Sequence, residues 1–383
     1  MHITDDIRYV GVNDMAIDLF EGQYPVPQGM AYNSYVILDE KIAVIDSVEQ
    51  HYGETWLRNV AAVLDDRTPD YLIVQHMEPD HSANVAAFME AYPQTVVVAS
   101  QKAFAMLKAY FGTDYADRRI VAAEGAKLEL GKHTLTFFTA PMVHWPEVIV
   151  TYDAYAKVLF SADAFGRFGT QEDGQPWEDE ARRYYIGIVG KYGAQVQALL
   201  KKAAALEIET ICPLHGPALT ENLPHYLSLY NTWSSYAPEE KGVAIAYSSV
   251  YGHTREAALL LADKLRADGQ TVEVYDLARC DQFAAVAAAF RYDRLVLATT
   301  TYNADIFPCM KTFLHAIIER GYRGRTVGLI ENGSWAPMAA KTMRAMLQNC
   351  KELTILEPTV TVASALSDAS RAQVDALADA LKG

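Results

Sequence analysis

Short apolar runs alternate with amphipathic stretches along the chain, and the pattern changes character past its middle. Ser34 to Leu38 and Ile42 to Ile45 are β-rich runs around the polar turn Asp39-Glu40-Lys41, which predicts a hairpin whose second strand closes at Asp46-Ser47. An amphipathic stretch from Trp56 to Leu64 follows. Next come a buried strand at Tyr71 to Val74, a helix over Val85 to Glu90 and a strand at Thr95 to Ala99. Further strands are predicted at Thr134 to Thr139, Val148 to Tyr152, Val158 to Ser161 and Thr210 to Pro213, with a long helix through Gln195 to Leu206 before the last. This order gives two mostly β layers flanked by helices.

From Trp233 to Lys241 the sequence turns polar around Pro238, then restarts with an apolar strand at Val243 to Ala246. A boundary there separates a domain of residues 1–236 from one of residues 242–383. In the second, strands near Val243, Val272, Leu295, Val327 and Thr354 to Val362 alternate with helices over Glu256 to Arg266, Phe283 to Phe290, Phe313 to Arg320, Met338 to Leu347 and Arg371 to Leu381. Five βα units predict a doubly wound parallel sheet.

The strand at Tyr71 ends in charge. Gln75 to Asn84 holds His76, Glu78, Asp80 and His81, and on an extended backbone His76, Glu78 and Asp80 point the same way, while Pro79 blocks a regular ladder and His81 begins a helical turn. Singly, each is most simply a cap or turn residue. Four together must be solvated or neutralised by cations, because burying uncompensated carboxylates is costly. Three later strands also end in metal-capable residues, at His144, Asp163 and His215. Loops at one edge of a layered sheet are where a rigid scaffold displays a site, so these three can converge on the first four.

In the second half, the first strand runs into Tyr247-Ser248-Ser249-Val250-Tyr251-Gly252-His253-Thr254, and a helix begins at once. Hydroxyls and backbone N–H groups between a parallel strand and a helix N-terminus make a phosphate site, and Gly252 lets the loop tighten. The loop is neither a Walker sequence nor a Gly-x-Gly-x-x-Gly fingerprint. Two more loops follow the third and fourth strands, Thr299-Thr300-Thr301-Tyr302-Asn303 and Glu331-Asn332-Gly333-Ser334-Trp335. All three meet beyond the carboxyl ends of the strands, where a flat ring can lie between Tyr302 and Trp335.

Composition narrows the partners. The 383 residues are 51% hydrophobic, ample for two cores, and carry a net charge of −15, which repels phosphate backbones and anionic lipid. Nucleic acid and membrane surfaces are therefore excluded as partners. The first residues, Met1 to Tyr9, carry Asp5 and Asp6 where a secretory leader needs basic and then apolar segments, and no run of 18 apolar residues occurs, so a cytoplasmic location is expected. Cys212, Cys280, Cys309 and Cys350 include no Cys-x-x-Cys pair, which points to core thiols rather than disulfides or thiolate metal sites.

His-x-Glu-x-Asp-His followed by single His, Asp and His resembles the metallo-β-lactamase fold, and in particular its flavodiiron branch; the three loops of the second half resemble a flavodoxin FMN site. The resemblance covers nearly the whole chain and implies an αββα sandwich followed by a flavodoxin-like sheet. Carried over by position, it puts His76, Glu78 and His144 on one iron and Asp80, His81 and His215 on the other, with Asp163 bridging, and makes Ser248, Ser249 and Thr254 the grip on the FMN phosphate. It implies reduction of O2 to water, of nitric oxide to nitrous oxide, or both. It also implies an external donor such as a rubredoxin-like protein, and a head-to-tail homodimer or dimer of dimers. A dinuclear zinc hydrolase is the alternative, but hydrolytic members usually place a second His where this chain has Glu78, which argues against it; an FMN electron carrier with an inactive metal domain is another. Two departures touch the pocket's surroundings. Many relatives have a non-ligand His where this chain reads Leu19-Phe20-Glu21-Gly22, and a Gln-His where it has Arg167-Phe168.

Overall fold

The computed structural model describes residues 3–382, and the chain divides into two compact units, Met1–Asn231 and Thr232–Gly383. Met1 and His2, at the start of the segment weighed above as a leader, lie outside the described residues.

The first unit is built on two sheets. One has six strands in the order Ile7–Tyr9, Tyr35–Ile37, Ala43–Ile45, Tyr71–Val74, Val96–Ala99 and Arg119–Val121. The predicted hairpin pairs antiparallel with Tyr35 opposite Ile45, and the strands from Ala43 to Val121 run parallel. Parallel neighbours need crossovers, which the helices Gly53–Leu64, Val85–Ala91 and Gln101–Phe111 supply. The other sheet has five strands in chain order, Lys127–Glu129, Thr134–Thr139, Ile149–Asp153, Val158–Phe160 and Thr210–Cys212, of which only the last pairing is parallel.

Facing residues of the two sheets share one core. Ile7, Tyr35, Ile45, Ile73 and Val98 from one pack with Leu128, Phe137, Ile149, Phe160 and Cys212 from the other. Each such side chain, removed from water, stabilises by roughly 1.5–3 kcal/mol. The helix at Gln101–Phe111 escaped the sequence reading although its caps are legible: the Ser100 hydroxyl accepts from the Ala103 N–H, and Gly112 ends it at φ 75°. The strands at Val12–Asp14, Leu19–Phe20, Tyr24–Pro25 and Met30–Tyr32 also escaped it. Two or three residues are too few to display a period.

The second unit is a five-stranded parallel sheet in the order Val272–Asp276, Glu240–Tyr247, Tyr292–Tyr302, Thr326–Asn332 and Thr354–Val362, with a short antiparallel strand, Asp305–Ile306, on the end of the third. The chain thus steps outward from its first strand to its second, then back across to its third, leaving a switch point between the first and third. Continuous apolar runs suit strands covered on both faces. Ile245, Val296, Ile330 and Val360 pack with Leu261 and Leu265 of the helix His253–Ala267 and with Val374 and Leu377 of Asp368–Ala380.

Acidity is unevenly divided. The first unit has 31 Asp and Glu against 17 Lys and Arg; the second has 17 against 16. The expectation that all four cysteines are core thiols holds only for Cys212; Cys280, Cys309 and Cys350 are half-buried. No helix among the described residues is long and apolar enough to cross a membrane.

Candidate metal centre and aromatic cleft

At the carboxyl end of the strand Tyr71–Val74 the backbone stays extended through Glu78, at φ −59° and ψ 139°, and then winds into a short helical turn, Pro79–Ser82. Proline at the first helical position favours this turn, since its fixed φ is helical and its missing N–H is not needed. The expectation that Asp80 continues an extended face with His76 and Glu78 is therefore corrected: Pro79 starts a helix instead of only ending a strand. Its consequence is to separate the carboxylates.

His76, Glu78, His144 and Asp163 form one group, and Asp80, His81 and His215 a second, the donor atoms of each lying within 4.8 Å of one another. In the first, His76 Nε2 is 3.2 Å from Glu78 Oε2 and 3.1 Å from Asp163 Oδ2, and His144 Nε2 is 2.9 Å and 3.3 Å from the same oxygens. In the second, His81 Nε2 and His215 Nε2 are 3.0 Å apart and each is 3.3 Å from Asp80 Oδ2. Asp163 reaches both: its other oxygen, Oδ1, lies 3.5 Å from His81 Nε2 and 3.6 Å from His215 Nε2.

These groups are buried, His76 and His81 fully and Asp163 and His215 to within 1%. Neither oxygen of Asp80 or of Asp163 accepts a hydrogen bond. Leaving buried carboxylates without donors is costly, so the arrangement calls for a cation. Without one, protons fill the role. Burial by itself pushes Asp163 up, but His76 and the other imidazoles hold it well below the usual carboxylate range. Burial likewise opposes protonation of His144, yet Asp163 and Glu78 lift it to about 9.

The surroundings fix these rings. His76 Nδ1 lies 2.8 Å from Glu147 Oε1, which also accepts the Met77 N–H at 2.9 Å. His215 donates from Nδ1 to the Ala31 carbonyl at 2.8 Å, and the Asn33 side chain donates to Pro213 and Gly216 carbonyls, both at 2.8 Å, on either side of that histidine. The Ser47 hydroxyl donates to the His81 carbonyl, while buried Asp46 accepts from the Gln75 backbone and side chain. Phe20 and Tyr184 rings pack edge-on or tilted against His215, at 5.3 and 5.5 Å. Sequence reasoning missed Glu147, Asn33, Asp46 and Tyr184. Of these only Glu147 left a signal, three residues after His144 at a strand approach.

Both departures from the family pattern find local roles. Arg167 is buried and paired with Asp173 at 2.6 Å, and Phe168 packs among Phe20, Tyr24 and Tyr184. Glu21 stays exposed at a turn, with its carboxyl raised first by desolvation and then by repulsion from Glu78.

In the second unit a cleft of about 660 Å³ opens beyond the carboxyl ends of the strands. Ser249, Val250, Tyr251, His253 and Thr254 line it from the first loop, Thr300, Thr301, Tyr302 and Asn303 from the second, and Asn332, Gly333, Ser334 and Trp335 from the third. Gly252 caps the helix His253–Ala267 at φ 98°, which a side chain would strain, and its N–H bonds the Ser249 hydroxyl. Ser248 departs from expectation. It is fully buried and shares a 2.6 Å hydrogen bond with Thr299, so it supports the loop from behind and does not face the cleft. A fourth loop was missed: Ser364, after the last strand, lines the cleft and bonds Ser334 and Asn332. Trp335 and Tyr251 are 92% and 91% exposed, large aromatic faces left for a ligand to cover.

A buried cluster of imidazoles and carboxylates on a two-sheet sandwich, followed by a flavodoxin-type sheet with an aromatic cleft, defines the class. The family described as ODP family beta lactamase matches residues 30–216, and the flavodoxin domain matches residues 244–364. The chain is 32% identical over 372 residues to a nitric oxide reductase of Moorella thermoacetica, covering 94% of this chain and 92% of that protein. Among solved structures it is similar to a rubredoxin oxygen:oxidoreductase from Desulfovibrio gigas, with a TM-score of 0.91 at 27% identity over 100% of this chain and 98% of the other. The flavodiiron protein from Giardia intestinalis gives a TM-score of 0.92 at 26% identity, over 99% of this chain and 95% of that one. The chain belongs to the flavodiiron protein family.

Proposed function

We propose that this protein is an oxidoreductase that reduces O2 to water, nitric oxide to nitrous oxide, or both, at a non-haem diiron site fed by FMN. The observation that carries the reading is Asp163, which turns one oxygen toward each of two histidine-carboxylate groups. Donor atoms roughly 2.1 Å from a shared ion and at right angles lie about 3 Å apart, which is the spacing within each group. His76, Glu78 and His144 would hold one iron, Asp80, His81 and His215 the other, with Asp163 between them. Three carboxylates among four imidazoles and no thiolate suit iron better than an all-imidazole zinc corner.

When bound, the two irons supply redox-active positions for a small gas and the flavin supplies the electrons singly. The protein's own residues do the rest. Glu147, Ala31 and Asn33 fix ring orientation before any ligand arrives, and Phe20 and Tyr184 keep water from the His215 side. In the cleft, Ser249, Thr254 and the N-terminus of the helix His253–Ala267 offer neutral donors and a positive dipole to a phosphate, while Tyr302 and Trp335 stack the ring.

Electrons come from a rubredoxin-like protein or another reduced carrier, a reading supported by the likeness to a rubredoxin oxygen:oxidoreductase. The protein works in the cytoplasm as a head-to-tail homodimer or a dimer of dimers, with one subunit's flavin serving the other's irons. Metal analysis combined with a visible spectrum tests the reading. Two irons and one flavin per chain are expected; two zincs without flavin bands would point to a hydrolase instead.

A further inference from the structure

We infer that Glu147 makes the two metal positions unequal, so that the position formed by His76, Glu78 and His144 fills first and holds its ion more tightly than the one formed by Asp80, His81 and His215. The inference rests on the metal reading of the cluster given above.

Each of these imidazoles turns Nε2 inward, and what its other nitrogen meets sets both the tautomer and the strength of the donor. His76 meets a charge. Its Nδ1 lies 2.8 Å from Glu147 Oε1, and both side chains are wholly buried. The same oxygen accepts the Met77 N–H, so the carboxylate is fixed by the backbone next to the ring it serves. The other oxygen, Oε2, has no hydrogen-bond partner, so His76 is the one side chain hydrogen-bonded to this carboxylate among the described residues.

The second group has no such partner. His215 Nδ1 donates to a neutral carbonyl, that of Ala31, and His81 Nδ1 is without a hydrogen bond. Under the pull of a cation, a carboxylate draws the N–H proton toward itself and leaves the imidazole closer to an anionic donor; a carbonyl does this far less. The bookkeeping of charge agrees. Glu78 and Glu147 contact rings of the first position, Asp80 contacts those of the second, and Asp163 is shared; the other buried carboxylate near the second group, Asp46, acts on His81 only through space, its oxygens being taken by the Gln75 backbone and side chain. In a buried site a carboxylate bonded directly to a ligand ring is poorly screened and outweighs one that acts only through space.

The test uses the full chain freed of metal and titrated anaerobically with Fe(II). Crystals given one equivalent are examined by anomalous scattering, which locates the ion without any mutation. The first equivalent is expected among His76, Glu78 and His144. In solution, Glu147→Gln should weaken the first binding step by about 10–100-fold, the usual effect of losing a ligand's outer partner, and leave the second nearly unchanged. Glu147→Asp, which keeps the charge, should recover part of the loss. An even distribution of the first equivalent, or equal weakening of both steps in Glu147→Gln, would overturn the inference while leaving a dinuclear site intact. A wild-type chain that binds no iron would overturn both.

Discussion

The metal cluster of the first unit and the cleft of the second are built by opposite means. The cluster is buried and ionic, its members drawn from four separate strand ends and held by outer hydrogen bonds. The cleft is open and largely neutral, assembled from consecutive loops along one sheet edge, with its aromatic faces in solvent. A site made of buried charge commits the sequence to a cation or to protons on its imidazoles, because no hydrogen bond relieves Asp80 and Asp163. A site made of neutral donors and rings commits it only to something flat with a phosphate. The acidity of the first unit, against the near balance of the second, follows the same division.

The comparison breaks most sharply at Asp163. Asp163→Ala should abolish gas reduction and release both irons while flavin binding stays unchanged, as iron and flavin counts on one sample will show. Loss of flavin as well would mean that the units are not independent in this respect. Asn33→Ala comes next. It removes one of the two donors to each of the Pro213 and Gly216 carbonyls, which keep the Tyr35 hydroxyl and the Gln171 amide, and the loss of these buried hydrogen bonds should cost about 1 kcal/mol in thermal unfolding and lower iron at the Asp80, His81 and His215 position. On the other side, Trp335→Ala removes one stacking face and should weaken FMN by about tenfold, corresponding to about 1.4 kcal/mol, with iron content untouched. Equilibrium flavin titration measures it.

The smallest effect concerns a histidine-carboxylate pair that is not a metal site. His133 Nδ1 lies 2.6 Å from Asp153 Oδ2, with Asp6 and Lys132 nearby and the Asp39 carboxylate bonding the His133 backbone. Burial works against its protonation, but Asp153 wins and raises it above 6.5. A raised histidine stabilises fully below its unfolded value, and the gain disappears as pH rises through the folded value. Stability measured from pH 6 upward should fall in wild type and less so in His133→Asn. Chelators should leave this part of the pH profile unchanged.

Much of this was legible in the sequence where apolar runs abut chemistry. The strands at Tyr71–Val74 and Thr134–Thr139 fall where the pattern placed them, and the seven clustered residues are those that end or follow β-rich runs. What stayed hidden depends on contacts distant in sequence or on local turns. Glu147 and His76 are 71 residues apart, so neither predicts the other. Asp80 belongs to a helical turn because proline can start a helix as well as stop a strand. Ser248 turns inward because Thr299, on the neighbouring strand, takes its hydroxyl. Periodicity carries no information on these points.

Anaerobic stopped-flow tests the central claim most directly: the iron-loaded protein, reduced through its flavin, is mixed separately with O2 and with nitric oxide, in wild type and in Asp163→Ala. Flavin reoxidation by at least one gas should be faster in wild type by orders of magnitude. Equal rates in the two proteins with both gases would contradict a route from flavin to a diiron site.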